Sequence, residues 1–318
     1  MTTELQTGQD GNGEPPHVDL EQLLIATSRT FALAIPLLPE PSRREVTISY
    51  LLFRIADTFE DAASWPRALR IEALERFGRL LDRPDPEAGL ETARFWAAEV
   101  PCEKPAYREL LAATPEVLDA FFSLTPAAAG LIRTHTQRTA QGMAGFVART
   151  TDEGELRLRD VADLQDYCYV VAGIVGELLT ELFLLERPEL APVAETLRRG
   201  SRSFGEGLQL VNILKDSASD ATEGRRYLPD GVARAEVLAL ARRDLDGAAD
   251  YVLTLQKAGA ERGLVAFNAL PLHLAAATLD RIESNGPGSK LTRPEVFFIV
   301  QRLHRALDRN EPALPRNP

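Results

Sequence analysis

The chain has 318 residues, 45% hydrophobic and 26% charged, with a net charge of −11. That length holds one large domain or two ordinary ones, and an acidic balance without a basic patch excludes a general nucleic-acid binder. Two cysteines, Cys102 and Cys168, exclude a disulfide framework and a CxxC metal site, and fit a reducing, cytoplasmic setting.

Residues 1–17 are polar and rich in Gly and Pro, and read as a disordered tail rather than a signal peptide. Beyond them, apolar residues recur at three- and four-residue spacing and alternating runs are scarce, which predicts helix after helix. Asp19 with Gln22 resembles a capping box, and Thr125-Pro126 and Ser64-Trp65-Pro66 give a cap followed by an early proline. Breaks fall at 37–42, 82–89, 100–105, 124–129, 150–156, 223–231 and 284–294. They imply roughly ten helices on short connections. With no composition shift and no fixed-period repeat, the expectation is one all-α domain over 18–310, followed by a short tail, 311–318.

The first chemically distinctive stretch is "YLLFRIADTFED", residues 50–61. On a helix, Tyr50, Arg54, Asp57 and Asp61 fall at i, i+4, i+7 and i+11, with Glu60 beside Asp57. Leu52, Ile55 and Phe59 form a separate apolar stripe. A second stretch, 205–229, repeats the pattern: Gly205, Gln209, Asn212, Asp216 and Asp220 line one face of an otherwise apolar helix. Either stretch alone reads as well as a solvated face. Two matching stretches favour a shared polar cavity. Facing each other, they would gather Asp57, Glu60, Asp61, Asp216 and Asp220, which would raise one another's pKa unless cations neutralise them. Oxygen-only ligands suit Mg²⁺, with Mn²⁺ as the alternative, and Mg²⁺ completes its shell with water and phosphate oxygens. The pattern therefore implies a diphosphate substrate. Arg29, Arg54, Lys215, Arg225 and Arg226 are the candidate partners for its charge.

Between the two acidic stretches, residues 167–185 are apolar enough to suggest a membrane span. Glu177 and Glu181 are costly in lipid, so a buried core helix is expected. Its Ala172, Gly173 and Gly176 leave room either for a bound chain or for close helix packing.

Together these residues resemble the squalene and phytoene synthase family, the head-to-head trans-isoprenyl diphosphate synthases. "SRTF" (28–31) looks like the family's serine-arginine motif and "YLLFRIADTFED" like its first aspartate-rich motif. "DYCYVVAGIVGELLTELF" (166–183) is similar to its tyrosine-containing central helix. "LQLVNILKDSASDATEGRRYLP" (208–229) resembles the second aspartate-rich motif, with Lys215 where Arg is frequent and Ser219 where some members carry an acid. Residues 267–279 and the loop 284–294 are similar to the squalene-synthase branch, as in its bacterial members.

The resemblance implies an isoprenoid-synthase-type helical bundle around a central cavity. It also implies condensation of two farnesyl diphosphates to presqualene diphosphate and, with NADPH, squalene. It places Tyr50, Arg54 and Tyr167 in catalytic roles. Ser28, Arg29, Arg54, Gln209, Asn212, Lys215 and Arg225 would hold the diphosphate, and the five acids the metal. Asn268, Lys290 and Arg293 would serve the nucleotide, for which no GxGxxG site exists. An oily product leaves peripheral membrane association open. The rival readings are a phytoene synthase working without reductant, an enzyme stopping at presqualene diphosphate, and a non-enzymatic helical scaffold. A di-iron bundle is excluded, because the one histidine with Glu three residues before it, His17, follows Pro15 and Pro16.

Overall fold

The computed structural model describes residues 18–314 except 103 and 223; the tail predicted over 1–17, and residues 315–318, lie outside them. The segments in order are α1 Leu20–Thr27, α2 Phe31–Ala34, α3 Ser42–Asp61, α4 Arg67–Leu80, α5 Pro86–Glu99, α6 Pro105–Ala112 and α7 Thr114–Phe122. They continue with α8 Pro126–Val147, α9 Val161–Cys168, α10 Ile174–Glu186, α11 Ala194–Thr222, α12 Arg234–Lys257, α13 Arg262–Asn285 and α14 Arg293–Asp308. The all-α expectation holds. The described helices outnumber the breaks read from sequence because some are short: α2 has four residues, and α6 and α7 are separated only by Ala113.

Two of the three expected caps form; Ser64 does not cap α4, whose N-cap is Pro66 with no side-chain cap bond. Asp19 accepts from the Glu21 and Gln22 amides, and Thr125 Oγ1 accepts from Ala128 N. In α3 the apolar stripe Leu52, Ile55 and Phe59 is fully buried, and Phe59 lies 4.5 Å from the Trp96 ring and 6.4 Å from Phe77. Burying each of these side chains contributes on the order of 2 kcal/mol. This packing holds the polar stripe of α3 at a fixed rotation.

The central helix is α9 and α10 joined through a single π-helical turn, Tyr169–Gly173. It packs against α8 and α11. Its acids are neutralised rather than lipid-facing: Glu177 pairs with Arg138 at 2.9 Å and Glu181 with Arg198 at 2.7 Å. Residues 161–186 and 262–285 are both long and apolar enough to cross a membrane, yet 50% and 67% of their apolar windows are buried within the bundle. Of the two readings of the glycines, close packing holds. A Cβ at Gly176 would stand 2.1 Å from Ser201 O, and one at Gly205 would stand 2.0 Å from Ala172 O. These glycines let α11 touch α10 and the π-helical turn before it backbone to backbone.

Two features were not legible in the sequence. The segment after α8 pairs in parallel with the segment after α11: β1 (Leu156–Arg157) lies beside β2 (Arg225–Arg226), Leu156 opposite Arg225. Two residues are too few for any alternation to show. The expected C-terminal tail is also strapped down over 311–314. Ala313 N donates to Gln256 Oε1 at 2.8 Å, His273 Nε2 contacts Ala313 O at 2.8 Å, and Leu314 is buried.

Candidate functional site

The site begins on the polar stripe of α3. Tyr50 Oη donates to Thr27 O at 2.9 Å, which ties α3 to the end of α1 just before Ser28. Ser28 Oγ accepts from Phe31 N and turns the chain into α2. One turn on, Arg54 Nε donates to Tyr50 Oη at 3.3 Å, its guanidinium pairs with Asp57 at 3.1 Å, and its carbon lies 5.5 Å from the Tyr50 ring centroid and 5.7 Å from that of Tyr107. Tyr107, on α6, carried no signal in the sequence. It makes the second half of an aromatic clamp that holds Arg54 without using up its donors.

The next turn points deeper. Glu60 is buried and accepts from Tyr167 Oη, on α9, at 3.4 Å. Tyr167 stacks on Tyr227, centroids 4.7 Å apart, and meets Phe146 edge-on at 5.1 Å. Burial, then the Glu60 charge, pushes the Tyr167 hydroxyl well above its ordinary pKa, so it stands neutral as a donor. Tyr227 and Phe146 were not singled out in the sequence. Only the fold brings them to Tyr167.

The end of α3 is anchored by a residue the sequence reading missed. Arg70, on α4, is buried and donates through Nε to Phe59 O at 3.2 Å and through Nη2 to Glu60 O. It satisfies last-turn carbonyls of α3 that have no intrahelical partner. An arginine inside an amphipathic pattern gives no hint of this, because its targets are backbone atoms eleven and ten residues earlier.

The two acidic helices meet at one cation. Arg225, set by β2, lies 3.6 Å from Asp61 at the end of α3 and 3.4 Å from Asp220 near the end of α11. Further back on α11, Lys215 Nζ pairs with Asp216 at 3.2 Å and donates to Asn212 Oδ1 at 3.0 Å. Gln209 lies two turns before Asp216 on the same helix, half-buried. Arg29 is exposed and makes no ion pair among the described residues. The helix bodies of α3 and α11 make no extensive contact.

Electrostatics marks the acids as strained. Burial raises Asp57 to about 6, with Asp61 adding to it and Arg54 opposing. Burial raises Asp220 to about 6, with Arg225 opposing and Asp216 and Asp61 adding to it. Burial and then Asp61 push Glu60 up as well. Among the described residues no three Asp, Glu, His or Cys side chains converge on one point. A cage is not what Mg²⁺ needs, since it takes one or two carboxylates and fills its octahedron with water and phosphate oxygens. Carboxylates alone, on two walls that meet at Arg225, are a donor set that fits this ion.

Of the nucleotide candidates, Asn268 lies buried on α13, where its amide donates to Leu264 O at 2.8 Å. Lys290 and Arg293 are exposed around the start of α14.

The sequence profile of squalene/phytoene synthase matches residues 24–237, about two thirds of the chain and every motif up to Arg226. The chain belongs to the squalene/phytoene synthase family. Within that family it is similar to the squalene synthase of the alga Botryococcus braunii, 30% identical over 205 residues, which are 63% of this chain and 39% of that protein. It spans less than two thirds of the length of the curated relatives it matches. Its fold is similar to that of TcSQS, solved with the ligand E5700: TM-score 0.71, 26% identity, 92% of this chain and 88% of that one. A bacterial squalene synthase, HpnC from Alicyclobacillus acidocaldarius, shares the fold at TM-score 0.51 and 18% identity. The expected likeness to bacterial members in particular is not borne out: the squalene synthases it resembles at 30% and 31% identity come from Botryococcus braunii and Candida albicans, while HpnC shares the fold at 18%. Residues 267–294, which pointed to the squalene-synthase branch, lie beyond the family match.

Proposed function

We propose that this protein condenses two farnesyl diphosphates head to head, giving presqualene diphosphate and, with NADPH, squalene. The observation that carries the reading is the Arg225 bridge: one cation spans Asp61 and Asp220, so the two aspartate-rich helices end around a common space. The names of the relatives support squalene over phytoene as the product class.

Asp57 and Asp61 on one wall, and Asp216 and Asp220 on the other, would hold Mg²⁺, with Glu60 behind them. When bound, the metal supplies Lewis-acid stabilisation of a departing diphosphate. The residues do the rest. Arg54, held on its two tyrosine rings, keeps donors free for phosphate oxygens, and Arg225 and Lys215 add positive charge at the opposite wall. Ser28, Arg29, Gln209 and Asn212 complete the polar rim. Loss of diphosphate from one substrate leaves an allylic cation, which the double bond of the second attacks; a proton then passes to the released diphosphate as the cyclopropane closes. Tyr167, Tyr227 and Phe146 form one buried aromatic cluster beside Glu60, the kind of low-nucleophile surrounding a carbocation needs. Tyr167, neutral and aimed at Glu60, orients by donating its hydrogen.

For the reductant the fit is partial. Lys290 and Arg293 offer exposed charge for a nucleotide phosphate, while Asn268 is buried on α13. The reductive step therefore rests on the family resemblance.

The test is incubation with farnesyl or geranylgeranyl diphosphate and Mg²⁺, with and without NADPH, followed by product mass. Squalene only with NADPH is the expected result. Phytoene from the C20 substrate would transfer the assignment to the other branch, and no product with either, together with no Mg²⁺–pyrophosphate binding, would leave a scaffold.

A further inference from the structure

We propose that the outer face of α14 docks the protein on an anionic lipid bilayer. The inference deepens the function proposed above, since it names the surface from which an oily substrate would arrive, but its geometry is independent of the chemistry.

Phe297 and Phe298 are adjacent on α14 and are 59% and 69% exposed, the most open large apolar side chains among the described residues. Their rings lie 6.1 Å apart, edge to face, so they form one apolar knob rather than two scattered residues. Arg302 and Arg305 follow on the same side and, with Gln301, line one surface groove with the two rings. Neither arginine has an ion pair among the described residues. Arg293 lies one turn before Phe297, and Lys290 precedes it on the loop; both are exposed and without an ion pair among the described residues. The acids of α14 are engaged elsewhere: Glu295 with Arg281 and Asp308 with Arg262.

A helix end with two exposed rings among four uncompensated cations is the opposite of the chain as a whole, which carries −11. Aromatic rings beside arginines are the composition of an interfacial helix, whose apolar residues enter the acyl boundary while its cations meet anionic headgroups. A protein partner would need a concave apolar complement. A second copy of this acidic chain would bring net repulsion.

A groove of about 520 Å³ adjoins the face between α13 and α14, lined by Leu291, Phe298 and Ile299 with the paired Arg281 and Glu295 and with Asp280. One contact connects the face to the site. The loop leading into α14 is fastened to the second acidic helix, where Gly288 N donates to Lys215 O at 2.7 Å. The docking face is thus coupled through one short loop to the helix that bears Asp216.

The experiment is co-sedimentation of the full chain with vesicles of phosphatidylcholine alone or mixed with phosphatidylglycerol, at low and high salt. Binding is expected to mixed vesicles at low salt, to weaken at high salt, and to be slight on neutral vesicles. The double variants Phe297→Ser/Phe298→Ser and Arg302→Glu/Arg305→Glu should each weaken binding by roughly tenfold or more. Their melting midpoints should not change, because the altered side chains are exposed. Turnover of substrate presented in detergent should be unaffected. Equal binding to neutral vesicles, binding unmoved by either variant, or a concentration-dependent dimer abolished by Phe298→Ser would overturn the proposal. Failure of vesicle binding with normal turnover removes the docking face and leaves the condensation reading standing. Normal vesicle binding without turnover does the reverse.

Discussion

Asp57 sits against Arg54 at 3.1 Å, and burial still holds its pKa near 6. Arg54 thus offsets the burial of this charge only in part. Asp57→Asn and Asp216→Asn should each lower turnover by about 100-fold or more, on the scale of losing one electrostatic contact to a transition state. Melting midpoints should stay within a degree or two, about 0.5 kcal/mol; wild-type rates in either variant would remove the metal assignment. Glu45 shows the cost of a buried acid with no such role. It is 2% exposed, and burial and then Glu186 raise its pKa from 4.5 to about 7 against the pull of Arg187. The folded state binds this proton more tightly than the unfolded state does. Stability is therefore lost as pH rises from 4.5 to about 7, and stays lost above. Glu45→Gln should stabilise by on the order of 1–3 kcal/mol at pH 8 and hardly at all at pH 4.5. Urea denaturation at the two pH values checks it, and an equal effect at both would contradict the assignment. At this scale the acids were legible because their side chains carry the chemistry themselves. Arg70, Tyr107 and Tyr227 were not, because an arginine or tyrosine acquires its role only from what faces it.

α3 and α11 are the working elements, and both depend on neighbours with no chemistry of their own. Arg70 closes the last turn of α3 by donating to the Phe59 and Glu60 carbonyls. Arg70→Met should cost about 1–3 kcal/mol, the desolvation penalty of acceptors left unpaired. It should also reduce turnover more than an equally destabilising core variant such as Phe77→Leu, since the turn it releases carries Glu60 and Asp61. Arg70→Lys should recover part of both losses. Glycines set the spacing of α10 and α11. Gly176→Ala would place a methyl 2.1 Å from the Ser201 carbonyl oxygen, and separating the helices should lower stability by about 1–3 kcal/mol. A midpoint equal to wild type in thermal melting would show that the contact yields freely. The sequence left these glycines open between chain-binding space and packing. Periodicity locates a small residue on a face but does not say what lies opposite.

At the level of the whole molecule, the site is two acidic walls joined by Arg225, with an acidic chain around them. Ligands that bind only the folded state raise its melting midpoint, so Mg²⁺ with pyrophosphate should do so, and EDTA should reverse the gain. Asp57 and Asp220 titrate near 6 and must lose their protons to hold a cation. The shift should therefore be large at pH 8 and shrink as pH falls through 6 toward 5. A shift that is absent at pH 8, or unchanged at pH 5, would count against carboxylate ligands. By itself the sequence determined the helical class and the two acidic faces. Each of those follows from side-chain identity repeated at the helical period, which is local information. Only the tertiary structure decided that Arg225 spans the walls, that Tyr107 clamps Arg54, that Asn268 is buried inside α13, and that residues 311–314 are strapped to the bundle. Those facts depend on contacts between residues up to about 160 positions apart. They are fixed by which helix faces pack together, and no local pattern encodes that choice.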